Sequence, residues 1–357
     1  MSHQPIVSRR ALLRGTARTV IGGWAAAQLP ARVWAQAAAS PPPGVGLPAS
    51  QAALIAGDSR ADNVFKALKL IEPQVRLGIA RKKRVLVKPN LVVVNNQLAA
   101  THVECLEGIL EFLKPIVKDE ILIGDSPAGG QATEAFDNYK YHELAKRYNV
   151  KFINFDDMPT ELRYVSDHRH QPKAVRMVKP LLDPDTYVIS AAILKTHDRA
   201  ICTLSLKNVV VGSAIKDKEF RWGGSKGSND KVFIHGGPKN EAIHWNLFSL
   251  GSVVKPDLAV IDGFQGMEGN GPVVGTAVDH KVAVASTDFV AADRIGVELM
   301  GFDFQQVGYL AFCDRARLGC GDLSRIELLG EKIEPHKRKY RPHDTIEQQL
   351  EWMKRGV

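Results

Sequence analysis

Arg84-Val85-Leu86-Val87-Lys88-Pro89-Asn90 decides the fold: an apolar run that stops abruptly on a lysine, a proline and an asparagine. Four other runs share the form: Ile121-Leu122-Ile123-Gly124, Tyr187-Val188-Ile189-Ser190, Leu258-Ala259-Val260-Ile261 and Val282-Ala283-Val284-Ala285. Their apolar character is continuous rather than alternating, as in parallel strands covered on both faces. Helical patterns lie between them, at 103–117, 133–148 and 240–254, and Leu106, Leu110 and Leu113 share one face of the first. Strand–helix alternation predicts a layered α/β fold, with a mainly parallel sheet, helices on both faces and a long Gly-rich lid loop.

Each run delivers polar chemistry at its carboxyl end. The first gives Lys88 and Asn90, the second Asp125 and Ser126, the third Lys195 and His197, the fourth Asp262 and the fifth Asp288. Open α/β sheets bind ligands in the crevice beyond these ends. Asp288 taken alone reads as turn chemistry; five such endings in one chain read as a shared site. Gly266-Met267-Glu268-Gly269-Asn270-Gly271-Pro272 would let backbone approach a ligand and place Glu268 at the rim. Ser126-Pro127-Ala128-Gly129-Gly130 precedes a helix, where backbone donors favour an anion. Neither G-x4-G-K-[ST] nor G-x-G-x-x-G is present, which argues against ATP hydrolysis and NAD-linked hydride transfer.

Lys207 and Asn208 are embedded in apolar sequence, as expected of a lysine held in a site. Residues 212–238 form a Gly/Ser-rich stretch long enough to be a lid, with His235 near its end and Lys216 and Arg221 as candidate anion contacts. His244, on the following helix, reads as structural.

Ser8-Arg9-Arg10-Ala11-Leu12-Leu13-Arg14, the apolar run from Val20 to Leu29, and Ala35-Gln36-Ala37 have the order of a twin-arginine (Tat) export signal. The expected organisation is a signal at 1–37, a Pro/Ala linker at 38–50, an α/β domain at 51–330, and a charged tail at 331–357 with a short helix. Residues 1–37 carry five arginines and no acids, so their removal leaves 42 basic against 39 acidic residues, net +3 instead of +8. That balance argues against nucleic acid as partner. No later run of eighteen apolar residues exists, so stable membrane insertion is not expected after signal removal. The expected location is the periplasm or another compartment reached by Tat, with the Tat machinery as a transient partner. Cys105, Cys202, Cys313 and Cys320 show no cluster-binding spacing. Cys313 and Cys320 are near enough in sequence to pair, but a chain folded before export is expected to keep them reduced.

Val87-Lys88-Pro89-Asn90-Leu91, Gly124-Asp125-Ser126-Pro127, Leu194-Lys195-Thr196-His197, Leu206-Lys207-Asn208, Ile261-Asp262-Gly263 and the glycine-rich block at 266–272 occur together in this order. In this the chain resembles the domain of unknown function 362 family over most of residues 80–330. Ala291-Ala292-Asp293-Arg294 and Leu318-Gly319-Cys320-Gly321-Asp322 resemble its later blocks. Many similar members carry ferredoxin-type cysteines, which implies a redox association; this chain lacks that module, so an iron–sulfur cluster is not expected in it.

The expected chemistry is that of an enzyme acting on an anionic small molecule bearing phosphate or carboxylate. Lys195, His197 and Glu268 are the candidate catalytic groups, with His197 as proton carrier. Lys88, Asn90, Ser126, Lys207, Asn208 and His235 would bind substrate. Asp125 and Asp262 would hold a divalent metal: two or three oxygens suit Mg²⁺ or Ca²⁺, and an added His197 admits Mn²⁺ or Zn²⁺. The alternatives are a non-catalytic protein that captures an anion or metal, a redox partner linked to an iron–sulfur protein, and a serine esterase using Ser126 with Asp167-His168-Arg169-His170.

Overall fold

The computed structural model describes residues 50–355. The segment read as an export signal and residues 38–49 of the linker lie outside the described residues. Among the described residues there are eleven strands: β1 (Ser50–Ala56), β2 (Arg84–Pro89), β3 (Ile121–Asp125), β4 (Val150–Asn154), β5 (Thr160–Ser166), β6 (Pro172–Val178), β7 (Thr186–His197), β8 (Ile201–Thr203), β9 (Leu258–Glu268), β10 (Thr276–Ser286) and β11 (Ile326–Gly330). Eight of them form a path in the order β11-β1-β10-β9-β7-β2-β3-β4, with β8 hairpinned onto β7; β5 and β6 make a separate ribbon. The pairs β1–β11, β9–β7, β7–β2, β2–β3 and β3–β4 are all parallel.

The fold is therefore a mainly parallel α/β sheet, with one departure from expectation. β10, the fifth apolar run, runs antiparallel to both β9 and β1. Asp288 consequently emerges at the opposite end of the sheet from the other four endings. There it caps the Phe289–Met300 helix, accepting hydrogen bonds from the Val290 and Ala291 N–H groups, and it also accepts from the Cys320 N–H.

Side chains alternate between two apolar layers, as the period of a strand requires. Val85, Val87, Ile121, Ile123, Tyr187 and Ile189 face one layer, closed by the Arg60–Leu70, Val103–Leu113 and Ala132–Asn138 helices. Leu86, Val188, Ala192, Leu194 and Ile261 face the other, closed by the Ser205–Ser213, Glu241–Gly251 and Phe289–Met300 helices. Every residue of β7 is buried, which explains its apolar runs Tyr187–Ile189 and Ala191–Leu194 and leaves Ser190, Lys195, Thr196 and His197 buried as well. The helix expected over 133–148 is split: Lys140 adopts a left-handed φ of 61° between the Ala132–Asn138 helix and a 3₁₀ stretch at Tyr141–Lys146. All four cysteines are free and buried.

The strand order reverses once beside β2. From β2 the chain steps outward to β3 and β4, then returns to the other side of β2 for β7 and continues to β9. A crevice opens at such a switch point because successive crossovers leave in opposite directions. Lys88 and Asn90 follow one wall of it, and His197 ends the other.

Candidate functional site

A cavity of about 500 Å³ lies at this switch point. Its polar wall brings together Lys88, Asn90, Asp125, Ser126, His197, Lys207, Asn208 and His235 from five separate stretches of sequence. Lys195, Asp262 and Glu268 are not on it.

The floor is built around Lys88, which is fully buried. Its ammonium sits 2.7 Å from Asp125 Oδ1 and donates to Asn208 Oδ1 at 2.9 Å and to the Pro89 carbonyl at 2.9 Å. Burial lowers its pKa, against the pull of Asp125. Asn208 also accepts from Asn90 Nδ2 and donates to Ser190 Oγ, so one amide ties β2, β7 and the Ser205–Ser213 helix together. Gly212 makes the close approach possible, since a Cβ there would lie 2.0 Å from Lys88 Cε. Asp125 is engaged at both oxygens: beyond Lys88 it accepts from the Ser126 N–H and the Leu91 N–H. Among the described residues, no group of three or more His, Cys, Asp or Glu is arranged to hold a metal ion.

Two further lysines face the cavity. Lys207 makes no ion pair among the described residues, and burial depresses its pKa to about 8 while Asp198 opposes the shift. Lys231 is buried, donates to Ser126 Oγ at 2.6 Å and to the Ala214 carbonyl, and is depressed by burial to about 7. Sequence reading missed Lys231 as one more polar residue of the lid. The apolar triplet Val232-Phe233-Ile234 that follows was the available signal of a buried helix start.

His197 and His235 stack at the wall with ring centroids 5.9 Å apart. The Arg199 N–H donates to His197 Nδ1 at 3.1 Å, while Asp198 Oδ1 lies 3.0 Å from the same nitrogen. Nδ1 therefore has an acceptor ready when it carries a proton and a donor ready when it does not. Burial, then the charge of Lys207, holds the His197 pKa well below the ordinary imidazole value. His235 Nδ1 donates to the Lys231 carbonyl at 2.7 Å, which leaves Nε2 as an acceptor; burial lowers its pKa to about 4. Two buried polar atoms of wall residues, Asn90 Oδ1 and Thr203 Oγ1, have no hydrogen-bond partner.

The turn bearing His197 is held from a distance. Gln349, fully buried on the tail, donates from Nε2 to the His197 carbonyl at 3.0 Å and accepts the Ile201 N–H at 2.8 Å. Thr345 Oγ1 donates to the Asp198 carbonyl. Between these anchors Ile201 adopts φ of 66°, costly for a β-branched residue and sustained only by such surroundings.

The remaining expected groups are engaged elsewhere. Lys195, fully buried, donates to the Ala99 carbonyl at 2.9 Å. Asp262 lies 3.2 Å from Arg60 Nε, and Glu268 accepts the Arg341 N–H at 2.9 Å. Lys216 is tied to Asp156 at the base of the lid, and Arg221 donates to the Lys218 and Phe220 carbonyls. The irregular part of the lid is shorter than expected, since Lys231–His235 is helical. The esterase reading is overturned: Ser126 Oγ contacts Lys231 and donates to Asp156 at 2.6 Å, while Asp167, His168 and His170 line a separate pocket of about 130 Å³. His244 packs between Tyr309 and Trp352 and accepts the Tyr309 N–H.

Fold and cavity together define an α/β protein with a lysine- and histidine-lined crevice at its sheet switch point. The chain belongs to the family described as "Domain of unknown function (DUF362)", whose match spans residues 85–298. It is 25% identical over 253 residues to the thylakoid-associated protein sll1697 of Synechocystis sp., covering 70% of this chain and 73% of that one. Among solved structures it is similar to the lactate racemase apoprotein of Thermoanaerobacterium thermosaccharolyticum, with a TM-score of 0.41 and 14% identity over 71% of this chain. A Thermotoga maritima protein gives a TM-score of 0.40 at 15% identity over 65% of this chain. The chain spans 58% and 57% of the length of those two structures.

Proposed function

We propose that this chain is an exported enzyme that binds a carboxylate- or phosphate-bearing small molecule at the carboxyl ends of β2, β3 and β7 and moves a proton with His197 and His235. One observation carries the reading: two ammonium groups without carboxylate partners, Lys207 and Lys231, face the same cavity as two stacked imidazoles. A buried cation without a counter-ion is costly, and a bound anion supplies that counter-ion. Lys88 and Asn208 set the floor, and His197 exchanges a proton between ligand and the Asp198 side. Asp125 and Asp262 do not enter as a metal pair, since one is held by Lys88 and the other by Arg60. Turnover of a panel of phosphoesters and carboxylates by the wild type, Lys207→Met and His197→Gln tests the proposal. A fall of at least a hundredfold in both variants is expected; wild-type rates in either would overturn it. Export is tested separately by Arg9→Lys/Arg10→Lys, which should leave the chain in the cytoplasm.

A second reading, a non-catalytic anion-capture protein, is favoured by the state of the wall carboxylates. Asp125 is held by Lys88 and two backbone N–H groups and Asp198 lies against His197, so neither stands ready as a general base. Binding without product from any member of the panel selects this reading.

A further inference from the structure

Charged and polar groups are only part of the cavity lining. Val93, Val211, Val232, Val273 and Trp222 also line it and give it an apolar wall. Trp222 and Val232 are 64% and 47% exposed, so the apolar part of the lining is open to a ligand. The lid that carries Trp222 is clamped at its base: Arg176 pairs with Asp217 at 2.7 Å and Asp230 at 2.8 Å, and Lys216 bridges to Asn229. At its tip the Trp222 ring packs beside Phe220, at 5.1 Å between centroids, and reaches over Gly129 and Val93. A Cβ on Gly129 would lie 3.5 Å from Trp222 Nε1, an ordinary packing distance, so the indole rests within contact range of the loop that follows β3.

Size adds a second constraint. The cavity offers about 500 Å³, whereas one water occupies about 30 Å³ in the liquid. A lone phosphate or acetate would fill a small part of it and leave the apolar wall facing water. We propose that the ligand is an amphiphilic anion: a carboxylate or phosphate head against Lys207 and Lys231, joined to an apolar body of several carbons lying under Trp222. This inference rests on the anion reading above and adds the substrate class.

The test uses the full chain without its signal and titrates acetate, butyrate, hexanoate, hexyl phosphate and neutral hexanamide by calorimetry. Affinity should rise from acetate to hexanoate, by up to about fourfold per methylene. Hexanamide should bind at least tenfold more weakly than hexanoate. The relative strength of hexanoate and hexyl phosphate reports which head the lysines prefer. Equal affinity for acetate and hexanoate would overturn the amphiphile inference and leave the anion reading standing. Equal affinity for hexanamide and hexanoate would overturn the anion reading while the apolar wall remained, and no binding by any of the five would overturn both. Trp222→Ser, at an exposed position expected to tolerate the change, should reduce the gain per methylene; an unchanged gain would remove the indole from the site. Glu268→Gln, outside the cavity, is the control.

Discussion

The carboxyl ends of β2, β3 and β7 and that of β9 carry the same kind of sequence and meet opposite fates. At the first three, Lys88, Asp125 and His197 gather around an open cavity. At β9, Asp262 is closed off by Arg60 and Glu268 is met by the backbone of Arg341. The difference is topological. β2 and β7 flank the point where strand order reverses, so no crossover fills the space above them. β9 lies inside the sheet between β7 and the antiparallel β10, and the Arg60–Leu70 helix supplies its counter-ion. A charged residue after a strand becomes a site only where the chain leaves room for a ligand.

The largest effect expected from breaking this contrast is on stability. Lys88→Met would leave the Asp125 carboxylate buried beside an apolar side chain, costing about 3–5 kcal/mol in denaturant unfolding. Arg60→Met should cost less. Burial already raises the Asp262 pKa, so that carboxyl can take up a proton when its partner is lost. Equal losses at the two pairs would erase the distinction.

Binding should separate the two regions next. Lys207→Met should keep the fold and weaken anion binding at least tenfold by calorimetry, while Glu268→Gln changes it by less than about twofold.

The pH dependence sharpens the same point. Lys207 and Lys231 have folded pKa values depressed to about 8 and about 7 from 10.5. Between those values and 10.5 the unfolded chain binds protons that the folded chain does not. Their contribution to the stability of the ligand-free protein is therefore full above about 10.5 and lost as pH falls through about 8 and then about 7. Anion affinity should run the other way, falling as pH rises from 6 to 9. Thermal unfolding and calorimetry across that range check both slopes, and parallel slopes would contradict the assignment.

The smallest effect expected on the cavity itself is at the tail contact with the His197 turn. Gln349→Leu removes two buried hydrogen bonds at a cost of about 1–3 kcal/mol and should alter the NMR resonances of the His197 ring. Unchanged ring resonances would mean that the tail holds the turn without setting the imidazole.

The sheet was legible because continuous apolar runs report burial on two faces, a property of each strand alone. The direction of β10 was not, since Val282-Ala283-Val284-Ala285 reads alike in either orientation and only its partners decide. The floor of the site was legible because Lys88, Asn90, Asp125 and His197 all sit at or just beyond strand ends. Asp262 and Glu268 looked equivalent because the side chains and backbone that occupy them, Arg60 and Arg341, lie far away in sequence. Lys231 was hidden by its polar neighbours in a stretch that resembled solvent-exposed loop. The grip of Gln349 on the His197 turn joins positions 152 residues apart and leaves no local mark.

The placement of β1 bears on how the chain assembles. The earliest strand among the described residues lies between β10 and β11, among the latest, so a nascent chain emerging from the ribosome holds β1 unpaired until β10 and β11 have been made. Gln349 arrives later still. Pairings this distant in sequence slow folding and leave edges open to wrong partners meanwhile. Deleting β1, or the tail that carries Gln349, should therefore injure the opposite end of the chain as much as its own.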